Sequence, residues 1–275
     1  MRQYDRGDDF FGWFLGERMT YTSAYFEQPA WSIEQAQDRS IEHVLHKLQL
    51  APGERVLDVG CGWGTLALRA AQHSGVDVTG VTLSENQARA ANARIAAAGL
   101  SRRCRVVCQD YRDIATSKFD KIVCLEMVEH VGARNLAGFY AKLRELLSDR
   151  GLFVLQWTGQ RRRPKSEDLI FGLFMEMHIA PGADAGLCPS AMLRHLEDAS
   201  FHVENVENMS AHYVSTIERW CESWTQNRAA VVARHGEREF RIWYLFLAWA
   251  SVLLEQGGAA CLQVLLRASP AVKGK

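Results

Sequence analysis

The 275-residue chain carries 32 basic and 32 acidic side chains, so no overall charge draws it to nucleic acid. Its apolar share of 48% suits one large globular domain, or a domain with a cap. The N-terminal MRQYDRGDDFFGWF lacks the apolar core and cleavage site of a leader, and the longest apolar run, near residues 244–254, is too short to span a bilayer, which predicts a cytoplasmic or membrane-peripheral protein.

Residues 1–50 are rich in aromatics. Phe10, Trp13 and Phe14 recur at helical spacing, whereas MTYTSAYF, 19–26, fits a helix less well. SIEQAQDRSIEHVLHKLQL, 32–50, has a serine cap and helical periodicity and ends before Pro52 and Gly53.

An alternating strand and helix pattern then runs over residues 51–159. In VLDVGCGWGTLALRAA, 56–71, an apolar run carries Asp58 into a turn of Gly60, Cys61, Gly62 and Gly64, followed by an Ala/Leu-rich helix. Glycines there let the backbone bend sharply and let a ligand lie against bare peptide at a helix N-terminus, although glycine packing alone also explains such a turn. VDVTGVTLS, 76–84, reads as a second strand ending in Thr82, Leu83 and Ser84, before a helix containing Gln87. CRVVCQDYRDI, 104–114, reads as a third, ending in Asp110 and Tyr111, and KIVCLEMVEHVG as a fourth, ending at Glu126 to His130. GLFVLQWTG is the fifth. Polar residues at the same end of successive parallel strands predict a ligand crevice in an open α/β sheet.

Beyond residue 160 the pattern changes. EDLIFGLFMEMHIAPGADAGLCPS is apolar and Met-containing, SAMLRHLEDASF reads as a capped helix and FHVENVENMSAHYVST as a strand. RIWYLFLAWASVLLEQGGA is a long apolar helix and ACLQVLLRAS a final strand, so the last pieces complete the sheet as an antiparallel pair. An insertion at about 160–185 caps the strand ends. Its basic run, Arg161, Arg162, Arg163 and Lys165, reads as a solvated loop. Seven scattered cysteines suit a reducing compartment; Cys104 and Cys108 lack the further ligands of a zinc site, so no metal is expected.

These segments together resemble the class I methyltransferases that use S-adenosylmethionine (SAM), and the Thr-Leu-Ser-x-x-Gln ending of the second strand resembles the cyclopropane fatty acid synthase and mycolic acid methyltransferase superfamily. YDRGDDFFGWFLGERMTYTS, LDVGCGWGTLA, QDYRD, CLEMVEHVG, EDLIFGLFMEMHIAPGADA, HYVSTIERW and RIWYLFLAW, in that order, are most similar to the fungal sphingolipid C9-methyltransferases. The resemblance implies a Rossmann-like α/β sheet of seven strands with a helical, aromatic cap. It also implies an N-terminal lid over 1–50 and a methyltransferase domain over 51–275. By the same resemblance Asp58 and the glycine turn approach the amino-acid part of SAM, Thr82, Leu83 and Gln87 lie by the ribose, and Asp110 and Tyr111 lie by the adenine. Residues 19–26 resemble a lid strand from which Tyr21 and Thr22 reach over the cofactor.

Cyclopropane synthases hold a bicarbonate base between a cysteine, a glutamate, a histidine and a tyrosine. Here Glu129 and Tyr213 match, while Ser23 and Gln156 stand at the cysteine and histidine positions, as in the C9-methyltransferases. Bicarbonate is carried as a second candidate cofactor. Glu126, Glu129 and His130 form a Glu-x-x-Glu-His cluster at a strand end that could itself supply a base. The expectation is methyl transfer to a double-bond carbon of a sphingoid or unsaturated fatty acyl lipid, without ring closure. The alternatives are an N-methyltransferase of an apolar amine, a cyclopropane-fatty-acyl-phospholipid synthase and a non-catalytic lipid-binding partner. Trp220, Trp224, Trp243 and Trp249 read as core aromatics.

Overall fold

The computed structural model describes residues 7–115, 117–184 and 187–269. The first six residues of the 1–50 segment and Ala185 of the cap insertion therefore lie outside the described residues. Short β-branched runs build the centre: β1 (Arg55–Val59), β2 (Asp77–Thr82), β3 (Cys104–Cys108), β4 (Phe119–Leu125) and β5 (Leu147–Gln160) pair in parallel. β6 (Phe201–Asn208) and β7 (Ala259–Ala268) complete a seven-stranded mixed sheet of order β3-β2-β1-β4-β5-β7-β6, in which β7 runs antiparallel to both neighbours. The expected architecture is thus observed.

Near-continuous burial of β1, β4 and β5 follows from helices on both faces of the sheet. α2 (Ile33–Leu48) begins as expected with Ser32 in a capping box with Gln35. α3 (Thr65–Ser74) follows β1, α4 (Glu85–Ala97) follows β2 and α5 (Leu136–Leu146) follows β4. α7 (Pro189–Asp198) starts on a proline, and no side chain caps it.

The second core is the aromatic cap. α1 (Asp8–Leu15), α6 (Ser166–Phe174), α8 (Ser210–Gln226), α9 (Arg228–His235) and α10 (Glu237–Glu255) enclose Phe10, Phe14, Trp220, Trp224 and Trp243. Phe10 lies 4.9 Å from Trp243 and 5.3 Å from Trp224, edge to face, and the Trp224 indole donates to the Phe240 carbonyl at 3.0 Å. The core reading of Trp220, Trp224 and Trp243 is observed, while Trp249 is half-buried against Phe171 and Phe174.

Three sequence expectations need correction. β3 stops at Cys108 and β4 at Leu125, so Asp110, Glu126, Glu129 and His130 sit in turns after the strands. HYVST belongs to α8, which places Tyr213 on a helix; the strand ends at Asn208, whose side chain accepts from the Ser210 amide. Residues 19–26 form no strand. Their polar groups are taken by helices: Tyr25 N donates to Ala36 O, Ala24 N to Thr216 Oγ1 and Phe26 N to His212 Nδ1, while Ser40 Oγ donates to Ser23 O. No helix among the described residues is long and apolar enough to cross a membrane.

Trp224 is fully buried and belongs to the ring cluster that joins α1, α8 and α10. Trp224→Ala is expected to cost about 3–5 kcal/mol. Urea unfolding checks this, and a loss below about 1 kcal/mol would show that the cap contributes little to global stability.

Candidate active site

The glycine turn follows β1 directly. Gly60 (φ 80°) lies under Met127, where a Cβ would sit 2.5 Å from Met127 Cγ. At Gly62 (φ 54°) a Cβ would meet no atom within 4 Å, because this residue lines a cavity of about 410 Å³. Gly64 packs its bare Cα side toward Ala91 and is not part of the cavity wall. The wall continues with Asp58, Cys61 and Trp63, and Trp63 Nε1 donates to Asp8 Oδ1 at 2.7 Å, tying the turn to α1.

Asp58 is buried, and its Oδ2 has no hydrogen-bond partner. Burial pushes this carboxyl up to about 7. An orphaned acid in the wall is suited to a ligand ammonium, which would satisfy the oxygen and favour its charged form.

The end of β2 supplies Thr82, Leu83, Ser84 and Gln87. Thr82 Oγ1 donates to Gln87 Oε1 at 2.6 Å, and Ser84 Oγ caps α4 by accepting from Gln87 N. After β3, Gln109 and Tyr111 line the cavity. Asp110, expected there, is instead turned onto Arg112, whose guanidinium donates to both of its oxygens at 2.9 and 2.7 Å and holds this carboxyl below its usual range. The 19–26 segment contributes Tyr21 and Thr22, and the far rim His130, Pro181 and Gly182.

Behind Thr22 lies a buried polar network. Gln156 Nε2 donates to Thr22 Oγ1 at 2.8 Å and to Glu126 Oε1 at 3.0 Å, while Gln156 Oε1 accepts from Gln263 Nε2 at 2.8 Å. Glu126 also accepts from Cys261 Sγ at 3.3 Å and from Thr158 Oγ1 at 3.0 Å. Glu129 Oε1 accepts from the Thr158 amide at 2.7 Å; its Oε2 is buried with no donor on it. Glu126 holds φ 52°, a left-handed conformation that costs a non-glycine residue about 1–2 kcal/mol and turns the chain out of β4.

The two carboxyls interact with each other, and burial raises both; the Glu126 charge raises Glu129 further. Like-charged neighbours in a dry site share a proton. Tyr213 stands beside them, its hydroxyl pushed up by burial and by Glu126. Ser23, by contrast, donates its hydroxyl to the adjacent Ala24 carbonyl at 3.0 Å and does not line the cavity.

Thr158, Cys261 and Gln263 did not emerge from the sequence as site residues. The register explains them: Gln156 pairs with Gln263 and Thr158 with Cys261 across β5 and β7, one face of a two-residue period. The alternation is readable as Gln-x-Thr and Cys-x-Gln, but only the pairing makes it one surface. Gln109, a lone glutamine just past a strand end, carries no distinctive pattern in the sequence.

A family model described as mycolic acid cyclopropane synthetase matches residues 1–264. Sphingolipid C9-methyltransferase of Komagataella phaffii is 44% identical over 275 residues, covering 96% of this chain and 56% of that protein. Sphingolipid C9-methyltransferase A of Emericella nidulans is 45% identical over 268 residues, covering 96% of this chain and 52% of that one. The chain therefore spans about half the length of these curated relatives. Among solved structures, mycolic acid cyclopropane synthase CmaA1 complexed with SAH and CTAB superposes with a TM-score of 0.92 at 28% identity, covering 97% of this chain and 96% of that one. With the glycine turn, the sheet order and the aromatic cap in place, the match shows that the chain belongs to the mycolic acid cyclopropane synthetase family of class I SAM-dependent methyltransferases.

Proposed function

We propose that this chain transfers a methyl group from SAM to a double-bond carbon of a long-chain lipid, sphingoid or unsaturated fatty acyl, without closing a cyclopropane ring. The observation that carries the reading is the buried pair Glu126 and Glu129, with Gln156 committed to Thr22, Glu126 and Gln263. The names of the C9-methyltransferase relatives support the choice of lipid.

The cofactor supplies an electrophilic methyl group on a sulfonium. Of the residues that line the cavity, Asp58 would receive its ammonium, Gly60 to Gly62 would lie against its amino-acid part, Thr82, Leu83 and Gln87 would border the ribose, and Tyr111 would border the adenine. Tyr21 and Thr22 close over it, and the aromatic cap keeps water from a weak carbon nucleophile and from the cation that methylation leaves on the lipid. Aromatic faces stabilise such a cation. Proton loss from the methylated carbon then restores an alkene.

The Glu126 and Glu129 pair, holding one proton between them, takes the second. Donors from Gln156, Thr158 and Cys261 favour the charged form of Glu126 against the burial that raises it, and Tyr213 and His130 border the path. The side chain of Gln156 fills the histidine position of a bicarbonate site with an internal hydrogen-bond node, and Ser23 turns to its own backbone. Both features favour a protein carboxylate as the base over a bound carbonate.

Gly62→Val places two methyls in the cavity and is expected to weaken SAM binding by at least about tenfold. Calorimetry on a variant whose melting shows it to be folded is the check; unchanged affinity would remove the cofactor assignment.

Glu126→Gln keeps shape but removes the carboxylate that takes the substrate proton and leaves Glu129 without its partner. Turnover should fall by about 10²–10⁴-fold with SAM binding retained. Activity within a few-fold of the parent would assign Glu126 to structure.

Product analysis tests the route. Nuclear magnetic resonance should show a vinylic methyl group, formed equally well in carbonate-depleted buffer. Upfield cyclopropane methylene protons would sink the proposal.

A further inference from the structure

The outer face of the cap carries a feature that the chemistry inside does not use. Leu169, Ile170, Leu173 and Met177 are 55%, 55%, 64% and 69% exposed. On α6 and the π turn that extends it (Met175–Ile179), these positions fall on one face, while Phe171 points inward onto Trp249. On α10, Leu245 and Val252, which flank Trp249 at helical spacing, are 46% and 44% exposed. Exposed apolar side chains grouped in this way mark an interaction site.

At the N-terminal end of this face stands the basic run. Arg161 is spent on Asp168, whose carboxylate lies 2.8 Å from Arg161 Nε, and its amide donates to Gly258 O, which fixes the start of the run beside the end of α10. Arg162, Arg163 and Lys165 are exposed and make no ion pair among the described residues. Besides Asp168, the acids of the same helical segment are Glu167 and Glu176, and Glu176 accepts from the Gly182 amide. At the other end the segment runs into Pro181 and Gly182 of the cavity wall.

The geometry points to docking of this face on an anionic lipid surface, with the apolar row of α6 in the acyl boundary and Arg162, Arg163 and Lys165 against the headgroups. An apolar helical face bordered by basic side chains is the pattern that lies in a bilayer interface. Because the chain as a whole is neutral, this attraction is local. The proposal rests on the lipid reading above for its purpose, since a chain segment whose outer face meets the bilayer and whose end lines the cavity suits a substrate that leaves a membrane.

Flotation with vesicles of phosphatidylcholine, with and without phosphatidylglycerol, tests it without turnover. The parent protein should float with the anionic vesicles and be released by salt. Leu173→Glu with Met177→Glu should lose binding by about tenfold or more, and Arg162→Glu with Arg163→Glu should lose the preference for anionic vesicles. Both pairs are exposed, and unchanged SAM affinity verifies that they fold. A parent protein that stays in solution, or variants that bind as it does, would overturn the proposal. So would a parent dimer that the Leu173 and Met177 pair dissociates in sedimentation, since a second copy would then cover the face. Vesicle binding by a protein inactive on every lipid would leave the docking intact and remove the methyl-transfer reading; activity on dispersed lipid without vesicle binding would do the reverse.

Discussion

A single buried amide joins the parts of this molecule that have to meet. Gln156, on β5, donates to Thr22 of the N-terminal segment and to Glu126 at the end of β4, and accepts from Gln263 on β7. All three partners are far away in sequence, and an amide buried in a sheet cannot leave its donors unpaired without a penalty of about 1–3 kcal/mol each. The lid, the acidic turn and the antiparallel end of the sheet are therefore fixed relative to one another by one side chain. Shifting any one of them leaves a polar group stranded.

That node decides what the acids can do. Glu126 is ringed by donors from Gln156, Thr158 and Cys261, whereas Glu129 receives one backbone amide and leaves an oxygen bare. Burial raises both carboxyls, but the donors on Glu126 offset part of that rise while the Glu126 charge drives Glu129 further toward holding a proton. The left-handed backbone at Glu126 is the local strain that brings them together.

Dryness comes from the second core. Phe11 lies 5.1 Å from Trp63 of the glycine loop, and Tyr21 lies 5.5 Å from Trp220, so the same aromatic packing that folds the cap also seats the lid. Cap stability and solvent exclusion are consequently one property here. The half-buried Trp249 marks where this packing ends and the outward apolar face begins.

Much of this was legible in the chain. The short continuous apolar runs and the glycine turn determine an α/β sheet with its crevice at the strand ends, because burial on both faces and a bend without Cβ atoms leave few other residue choices. The helix over Ile33–Leu48 follows from Ser32 and Gln35, a local capping box. Where the outcome depended on partners distant in sequence, the chain was silent or misleading. HYVST has the composition of a strand, but α8 claims it because that face meets the lid through Thr216 and the aromatic core through Trp220. Residues 19–26 alternate like a strand, yet their amides are taken by α2 and α8 before any strand can pair with them. Asp110 is a local exception, turned from the crevice by Arg112 only two residues away. The pairing of Gln156 with Gln263 and of Thr158 with Cys261 was decided only by the tertiary structure, because register between β5 and β7 is set by the hydrophobic faces of the whole sheet and not by the four residues it brings together.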